Sequence, residues 1–142
     1  MKTYDPKSVH CTLAGHFIEG FGDGTFVSFS RTAPIFSTKV GVGGIVTRSR
    51  SHNKSGTVTF TLMQTSLSND RLTEIMNADL NAINGAGVGS LTVQDIYGTT
   101  ILTAAKAWIE SPPDASFEAE ATTRDWVIAF ETLDETYGGN QG

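Results

Sequence analysis

The sequence predicts a mainly β fold, an antiparallel β-barrel or sandwich with one flanking α-helix. Most of the chain consists of short segments rich in Thr, Val, Ile and Phe, which glycine-bearing turns separate. Threonine occurs nineteen times, a frequency typical of strands rather than helices. Only residues 69–83 show the three- and four-residue apolar spacing of a helix. The 142 residues are expected to form a single domain whose core needs no disulfide.

The first two predicted strands, residues 9–18 and 25–31, are expected to form a hairpin. The connection between them, residues 19–24, contains three glycines that permit the positive φ angles of a tight reversal. In the second strand Val27 and Phe29 share one face, and serines occupy the other. This alternation predicts one packed side and one solvent side.

The clearest predicted strand is residues 57–62. Strict alternation places Val58, Phe60 and Leu62 on the core face and leaves three threonines on the opposite face. Further strands are predicted at 91–97, 101–110 and 124–133, the last with Trp126, Ile128 and Phe130 on one side.

The predicted helix, about residues 69–83, is expected to pack its apolar stripe on the sheet or on a barrel rim. Ser68 or Asn69 is expected to cap its start, and Asn84 with Gly85 to end it. The glycine-rich residues 85–89 follow the helix and precede a strand, which is the reverse of a phosphate-binding loop, so a flexible connection is predicted. The stripe consists of Leu72, Ile75, Met76, Leu80 and Ile83.

A long segment, about residues 32–56, is predicted to be an extended loop or hairpin. Loops longer than about 12–15 residues in a small domain are usually functional or disordered. Two interpretations stay open: the segment folds back on its own sheet, or it reaches a neighbouring subunit by strand addition. The candidate subunit-interface residues are Phe36, Lys39, Val40, Val42, Ile45, Arg48, Arg50 and Lys54.

The two chain ends carry simpler predictions. The first residues lack the apolar run of a signal peptide, and the chain has no uncharged apolar stretch of about 18 residues, so a soluble cytoplasmic product is expected. The last residues, about 134–142, are rich in glycine and are expected to form a flexible tail.

Composition and motifs argue against several kinds of chemistry. The net charge of −5 gives no basic footprint for nucleic acid or an anionic membrane. Cys11 is the single cysteine; on one continuous strand His10 and His16 would share a face about 20 Å apart, with Cys11 opposite, so no metal site is expected. No catalytic or cofactor-binding residue is assigned, and no cofactor is expected. A solvated acidic face is predicted for Glu110, Asp114, Glu118 and Glu120.

Five stretches of the chain form a pattern known from one protein family: residues 4–7, 20–26, 36–50, 53–62 and 66–70. They read Tyr-Asp-Pro-Lys, Gly-Phe-Gly-Asp-Gly-Thr-Phe, the long segment, Asn-Lys-Ser-Gly followed by the clearest strand, and Ser-x-Ser-Asn-Asp before the helix. With them the chain resembles the tail tube (inner tube) family of contractile-tailed bacteriophages and is similar to type VI secretion tube proteins. The resemblance covers nearly the whole chain and carries no enzymatic residue.

The resemblance implies a structural role. Six copies would form a ring, and rings would stack into a tube that serves DNA ejection, with the long segment reaching the adjacent subunit or ring. The implied partners are the chain itself, the tail sheath protein, baseplate and tail terminator proteins, the tape measure protein and genomic DNA passing through the lumen without sequence-specific binding. No membrane is involved, and the implied location is the virion tail, assembled in the host bacterial cytoplasm.

Charge agrees with this role, because six chains of −5 give −30 per ring, and an acidic or threonine-rich lumen would let DNA slide. Arg48, Arg50 and Lys54 would then contact acidic neighbours. Three alternatives remain: another tail or secretion tube component, a soluble β-sandwich binding module for a ligand such as carbohydrate, and a small hydrolase that uses Glu118 or Glu120.

Overall fold

In the computed structural model, which describes residues 1–140, most strands join one antiparallel sheet with the order β2-β1-β7-β8-β9-β6-β3, and β10 also pairs with β8. Across the described residues this sheet stays open between β2 and β3, so the architecture is sandwich-like rather than a closed barrel. The predicted antiparallel β class with one flanking helix is confirmed. The elements are β1 Val9–Leu13, β2 His16–Ile18, β3 Val27–Arg31, β4 Phe36–Val40, β5 Val46–Arg50, β6 Gly56–Met63, α1 Ser68–Leu80, β7 Gly89–Asp95, β8 Ile101–Ser111, β9 Thr123–Phe130 and β10 Asp134–Thr136.

The core lies on one face of the main sheet, and β6, next to the edge strand β3, contributes every second side chain to it. Alternate β6 side chains, Val58, Phe60 and Leu62, are completely buried, as their alternation predicts. Val58 pairs with Ile128 of β9 and Phe60 with Trp126, so the two strands contribute matched rows of apolar side chains. The burial of both rows confirms the predicted core faces of these strands.

The first predicted hairpin is wrong, because the chain reverses earlier. Ala14 has φ +51° and Gly15 has φ +82°, the two consecutive positive angles of a type I′ turn. β1 and β2 therefore pair with each other, where one continuous strand was expected for residues 9–18. Consequently β3 does not pair with the first segment and lies antiparallel to β6 instead.

Replacing Ala14 by glycine is expected to stabilise the fold by about 0.5–1 kcal/mol. Ala14 is the one non-glycine residue with positive φ among those that the structure describes, and its Cβ makes the left-handed conformation costly. Thermal unfolding of Ala14→Gly checks this, with Ala105→Gly in β8 as the control. The control should lower the melting temperature, since glycine weakens a strand; a lower melting temperature for Ala14→Gly as well would contradict the expectation.

The helix is shorter than predicted, and its capping differs. It ends at Leu80, and although Leu72 is buried, Leu80 and Ile83 are exposed, so the expected stripe packs only along its first half. The expected caps are wrong because both side chains point elsewhere. Ser68 Oγ accepts a hydrogen bond from the Glu19 N–H at 3.0 Å, and Asn69 Oδ1 accepts one from the Trp126 indole at 2.9 Å. No helix in residues 1–140 has the length and apolarity needed to cross a membrane.

Two connections complete the picture. Residues 81–88 link α1 to β7 in the predicted order of helix and then strand, and the Gly87 N–H donates to the Asp79 carboxylate at 3.3 Å. At the C-terminus, where a flexible tail was expected, residues 134–136 form β10, and the Thr99 N–H donates to the Gly139 carbonyl at 3.0 Å. Residues 134–136 form a strand because β10 continues, farther along β8, the pairing that β9 makes with β8. Residues 141 and 142 of the expected tail lie outside the described part.

Candidate assembly surfaces

Residues 33–54 leave the main sheet as a separate two-stranded hairpin, here called the arm. β4 and β5 pair only with each other within the described chain, and all ten of their residues are exposed. At the base of the arm the Thr32 N–H donates to the Ser55 carbonyl at 3.1 Å, which continues the β3–β6 ladder. The arm is thus an extended hairpin, and of the two interpretations of this segment, folding back onto its own sheet does not occur.

The arm has one face that is both apolar and cationic. Directly paired residues of antiparallel strands share a face, and here Phe36 pairs with Arg50 and Val40 with Val46. The Arg48 guanidinium carbon lies 4.4 Å from the Phe36 ring centroid, and that of Arg50 lies 5.7 Å away. Each such exposed cation–π contact contributes about 0.5–1 kcal/mol and favours this arrangement of the three side chains.

The tip of the arm adds two exposed aliphatic side chains. Val42 is 112% exposed and Ile45 75% exposed, and the turn is closed by the Gly41 N–H donating to the Ile45 carbonyl at 2.9 Å. Gly44 has φ +83°, a conformation that a side chain at this position would strain. The tip therefore presents its apolar groups on a defined turn.

The structure brings together most of the eight residues predicted at a subunit interface, but not all of them. Phe36, Arg48 and Arg50 form one cluster, and Val40 lies farther along the same face. Val42 and Ile45 occupy the tip. Lys39 pairs with Thr47 on the opposite face, and Lys54 lies at the base beyond β5.

Charge distinguishes the arm from the rest of the protein. It carries four of the ten basic residues and none of the fifteen acidic ones. The remainder has six basic and fifteen acidic residues, a formal charge of −9. Charge is therefore unevenly distributed, with a cationic hairpin attached to an acidic body.

A groove beside β3, which the sequence did not indicate as a site, is the second surface. Two adjoining cavities of about 370 and 600 Å³ share Val9 and Phe26 as lining residues. The floor of the smaller one includes the buried side chains of Val93 and Leu102. The Phe21 and Phe26 rings lie 5.1 Å apart between their centroids. We call this surface the β3 groove. The sequence feature that could have indicated it is the presence of aromatic residues among the glycines of residues 20–26.

The outer side of the sheet carries hydroxyl groups. Ser28 pairs with Thr59 and Ser30 with Thr57, on the face of β3 and β6 that points away from the core. Farther along β6, the Thr61 hydroxyl donates to the Asp125 carboxylate at 2.8 Å. The result is a continuous hydroxyl-rich face with little charge.

The histidines and Cys11 are not arranged as predicted. Because the chain reverses at residues 14–15, Leu13 pairs with His16, whereas His10 packs edge-on against Phe17 on the other face. His16 Nε2 lies 3.2 Å from Ser68 Oγ; burial and the nearby Arg71 lower the pKa of this imidazole. Burial raises the pKa of the Cys11 thiol to about 12.

The described residues contain no group of three or more His, Cys, Asp or Glu side chains placed to hold a metal ion. The acidic residues Glu110, Asp114, Glu118 and Glu120 are all exposed, in agreement with a solvated face.

Comparison with solved structures places the fold among contractile injection systems. The anti-feeding prophage cap, which terminates its tube, has a TM-score of 0.64 at 10% identity, covering 96% of this chain and 92% of that one. A chain of the sheath/tube terminator of the extracellular contractile injection system PVC scores 0.63 at 11% identity, covering 96% and 99%. A chain of the PVC sheath-tube complex scores 0.63 at 12% identity, covering 90% and 87%. At these identities the similarity establishes the fold.

Sequence comparison gives the family. The structural protein ORF10 of Pseudomonas phage KPP10 is 31% identical over 145 residues, covering 98% of this chain and 84% of that protein. The family model of the bacteriophage PhiTE tail tube protein matches residues 1–138. The resemblance seen in the sequence is thereby confirmed: the chain belongs to this phage tail tube family of structural proteins.

Proposed function

We propose that this chain is the repeating subunit of a phage tail tube, in which six copies form a ring and rings stack around a channel for DNA ejection. The observation that carries the proposal is the arm, a fully exposed cationic hairpin with apolar side chains and no partner among the described residues of its own chain. Exposed apolar hairpins are an aggregation hazard unless a partner covers them. A neighbouring subunit is that partner.

Two free sheet edges support the same proposal. Within the described residues β3 pairs only with β6, and β2 only with β1, so each strand has a side with unpaired backbone groups. Pairing between such edges in adjacent subunits satisfies these groups and joins the sheets around a ring. Burial of the apolar part of the arm and edge pairing together drive assembly.

The hydroxyl-rich face formed by β3 and β6 suits a channel wall. Its serines and threonines offer DNA phosphates no fixed positive charge, and a hexameric ring of −30 overall repels the passing polyanion. DNA therefore slides without sequence-specific binding. The tape measure protein occupies the same channel before ejection.

The other proposed partners are the sheath, the baseplate and the tail terminator. The similar solved chains come from a tube-terminating cap, a sheath/tube terminator and a sheath-tube complex, which supports sheath and terminator contacts here. The protein acts as a non-enzymatic component of the virion tail and assembles in the bacterial cytoplasm.

Electron microscopy of the purified chain, beside size-exclusion chromatography at several concentrations, tests the proposal. Hollow tubes or six-fold rings are the expected result. A soluble binding module predicts a monomer at every concentration, and such a monomer, also in the presence of baseplate components that would nucleate a tube, would overturn the tube function.

Reversing the arginine charges of the arm should weaken assembly strongly. Arg48→Glu with Arg50→Glu removes two charge-assisted contacts to acidic neighbours, worth about 3 kcal/mol together, so the lowest concentration that yields tubes should rise about a hundredfold. Sedimentation of assembled material measures this concentration. Lys2→Glu with Lys106→Glu changes the net charge equally at exposed positions outside the arm and serves as the control. Normal polymerisation of the arm variant would rule out the proposed role of these arginines.

A further inference from the structure

We propose that the arm of a second copy of this chain occupies the β3 groove, with its apolar face on the groove and its backbone along the free edge of β3. This inference rests on the proposed tube function and assigns its docking surface. Arm and groove lie on different parts of each chain, so every copy offers one of each.

The two surfaces match in polarity. The arm presents Phe36, Val40 and Val46 on one face and an aliphatic tip. The groove presents half-buried aromatic side chains, including Phe26, above the buried Val93 and Leu102. Because one side of the hairpin is apolar, its contact with such a groove is stabilised by roughly 25 cal/mol for each Å² of apolar surface removed from water.

The backbones also match. The side of β3 that does not face β6 has unpaired N–H and C=O groups, and it borders the smaller cavity through residues 24–29. β4 and β5 each have one free edge as well. An added strand would satisfy both sets of groups, while the alternate side chains of the arm enter the groove.

Charge complementarity favours this site over a surface without acids. Glu19 and Lys7 line the larger cavity, and Asp5 and Asp23 are each adjacent in sequence to two lining residues. The groove thus has one acid and one base in its lining and two further acids next to it in sequence, whereas the arm has four basic residues and no acid. The attraction steers the arm to the rim and weakens with salt.

The occupant is a second copy rather than the arm of the same chain. The arm leaves β3 after Arg31, at the end of the strand away from residues 24–29 that border the groove, and it forms its own exposed sheet. A contact between unlike surfaces of identical chains is heterologous, so it closes into a ring or continues as a filament. A stacked tube needs one contact that closes the ring and another that stacks the rings, and the contact between arm and groove would supply one of the two.

Disulfide trapping tests the contact. Val42→Cys places a thiol at the arm tip, and Thr25→Cys places one at an exposed position of the groove; Tyr4→Cys repeats the test with another groove position. The native Cys11 is buried with its pKa raised to about 12 and stays unreactive. Mild oxidation of the double variants should shift most of the protein from the monomer band into a ladder on a non-reducing gel. The control joins Ile83→Cys, which is 107% exposed outside both surfaces, with Thr25→Cys.

Electron microscopy of the same preparations separates the possible results. A ladder for the tip and groove pairs, absent from the Ile83→Cys control, supports the assignment. If tubes form but neither pair exceeds the control, or if the disulfide forms within one chain and gives only a faster monomer band, the groove assignment fails and the tube function stands. If the wild-type chain forms no tubes under any condition, the tube function itself fails.

Discussion

Replacing the arm by a two-residue Asn-Gly turn is expected to abolish tube assembly while the main sheet stays folded. Arg31 pairs with Gly56, and the Thr32 N–H donates to the Ser55 carbonyl, so Thr32 and Ser55 already face each other across the β3–β6 ladder. A two-residue type I′ turn connects such positions directly. The variant loses residues 33–54, which make no strand pairing with the main sheet.

Three measurements check the armless chain. Circular dichroism should retain the β spectrum, and chromatography should give a monomer at all concentrations. The melting temperature should not fall below that of the unassembled wild-type chain, because a shorter loop costs less closure entropy. Gly43→Ala is the matched control within the arm, since nothing lies within 4 Å of the added methyl group, and it should still form tubes. Normal tubes from the armless chain would show that assembly does not need the arm.

The strands that the sequence predicted well are those with one fully buried face. In β6 every second side chain is excluded from water, so apolar and polar residues alternate along the strand with a period of two. β9 is predicted for the same reason, since Trp126, Ile128 and Phe130 all face the core. The arm was also foreseeable, because glycines and unbalanced positive charge in a long segment disagree with a packed strand.

The turn at Ala14 and Gly15 was missed because alanine rarely adopts positive φ, so the pair does not carry the usual Asn-Gly turn signal. The periodicity of residues 9–18 continues through the turn, and nothing local marks the reversal. This one error also misplaced His10 relative to His16, which the hairpin puts on opposite faces.

The remaining differences come from contacts between distant parts of the chain. Apolar spacing identifies the inner face of α1 but not how far the sheet extends beneath it, and Leu80 and Ile83 lie beyond that contact. The β3 groove is likewise formed by residues far apart in sequence, with Tyr4 and Phe26 at one part and Leu102 at another. No local pattern reports such a surface.

Replacing Phe60 by alanine is expected to cost more stability than any other change proposed for this protein. Phe60 is fully buried between Val27 of β3 and Trp126 of β9, and its ring centroid lies 6.2 Å from that of Phe21. Loss of a large buried ring typically costs about 3–5 kcal/mol, a large share of the 5–15 kcal/mol that stabilises a domain. The melting temperature should therefore fall by roughly 10–20 °C.

The measurement belongs in the armless chain, because assembly stabilises the folded subunit by mass action and would mask part of the loss. Phe117→Ala is the matched control: its ring is 79% exposed, so the same truncation should change the free energy of unfolding by about 0.5 kcal/mol or less. Equal losses of unfolding free energy for the two variants would mean that Phe60 does not occupy the core position that the sheet register gives it. If Phe60→Ala lowers stability strongly in the armless chain and less in assembled tubes of the full chain, the difference measures how much subunit contacts add to the stability of each subunit.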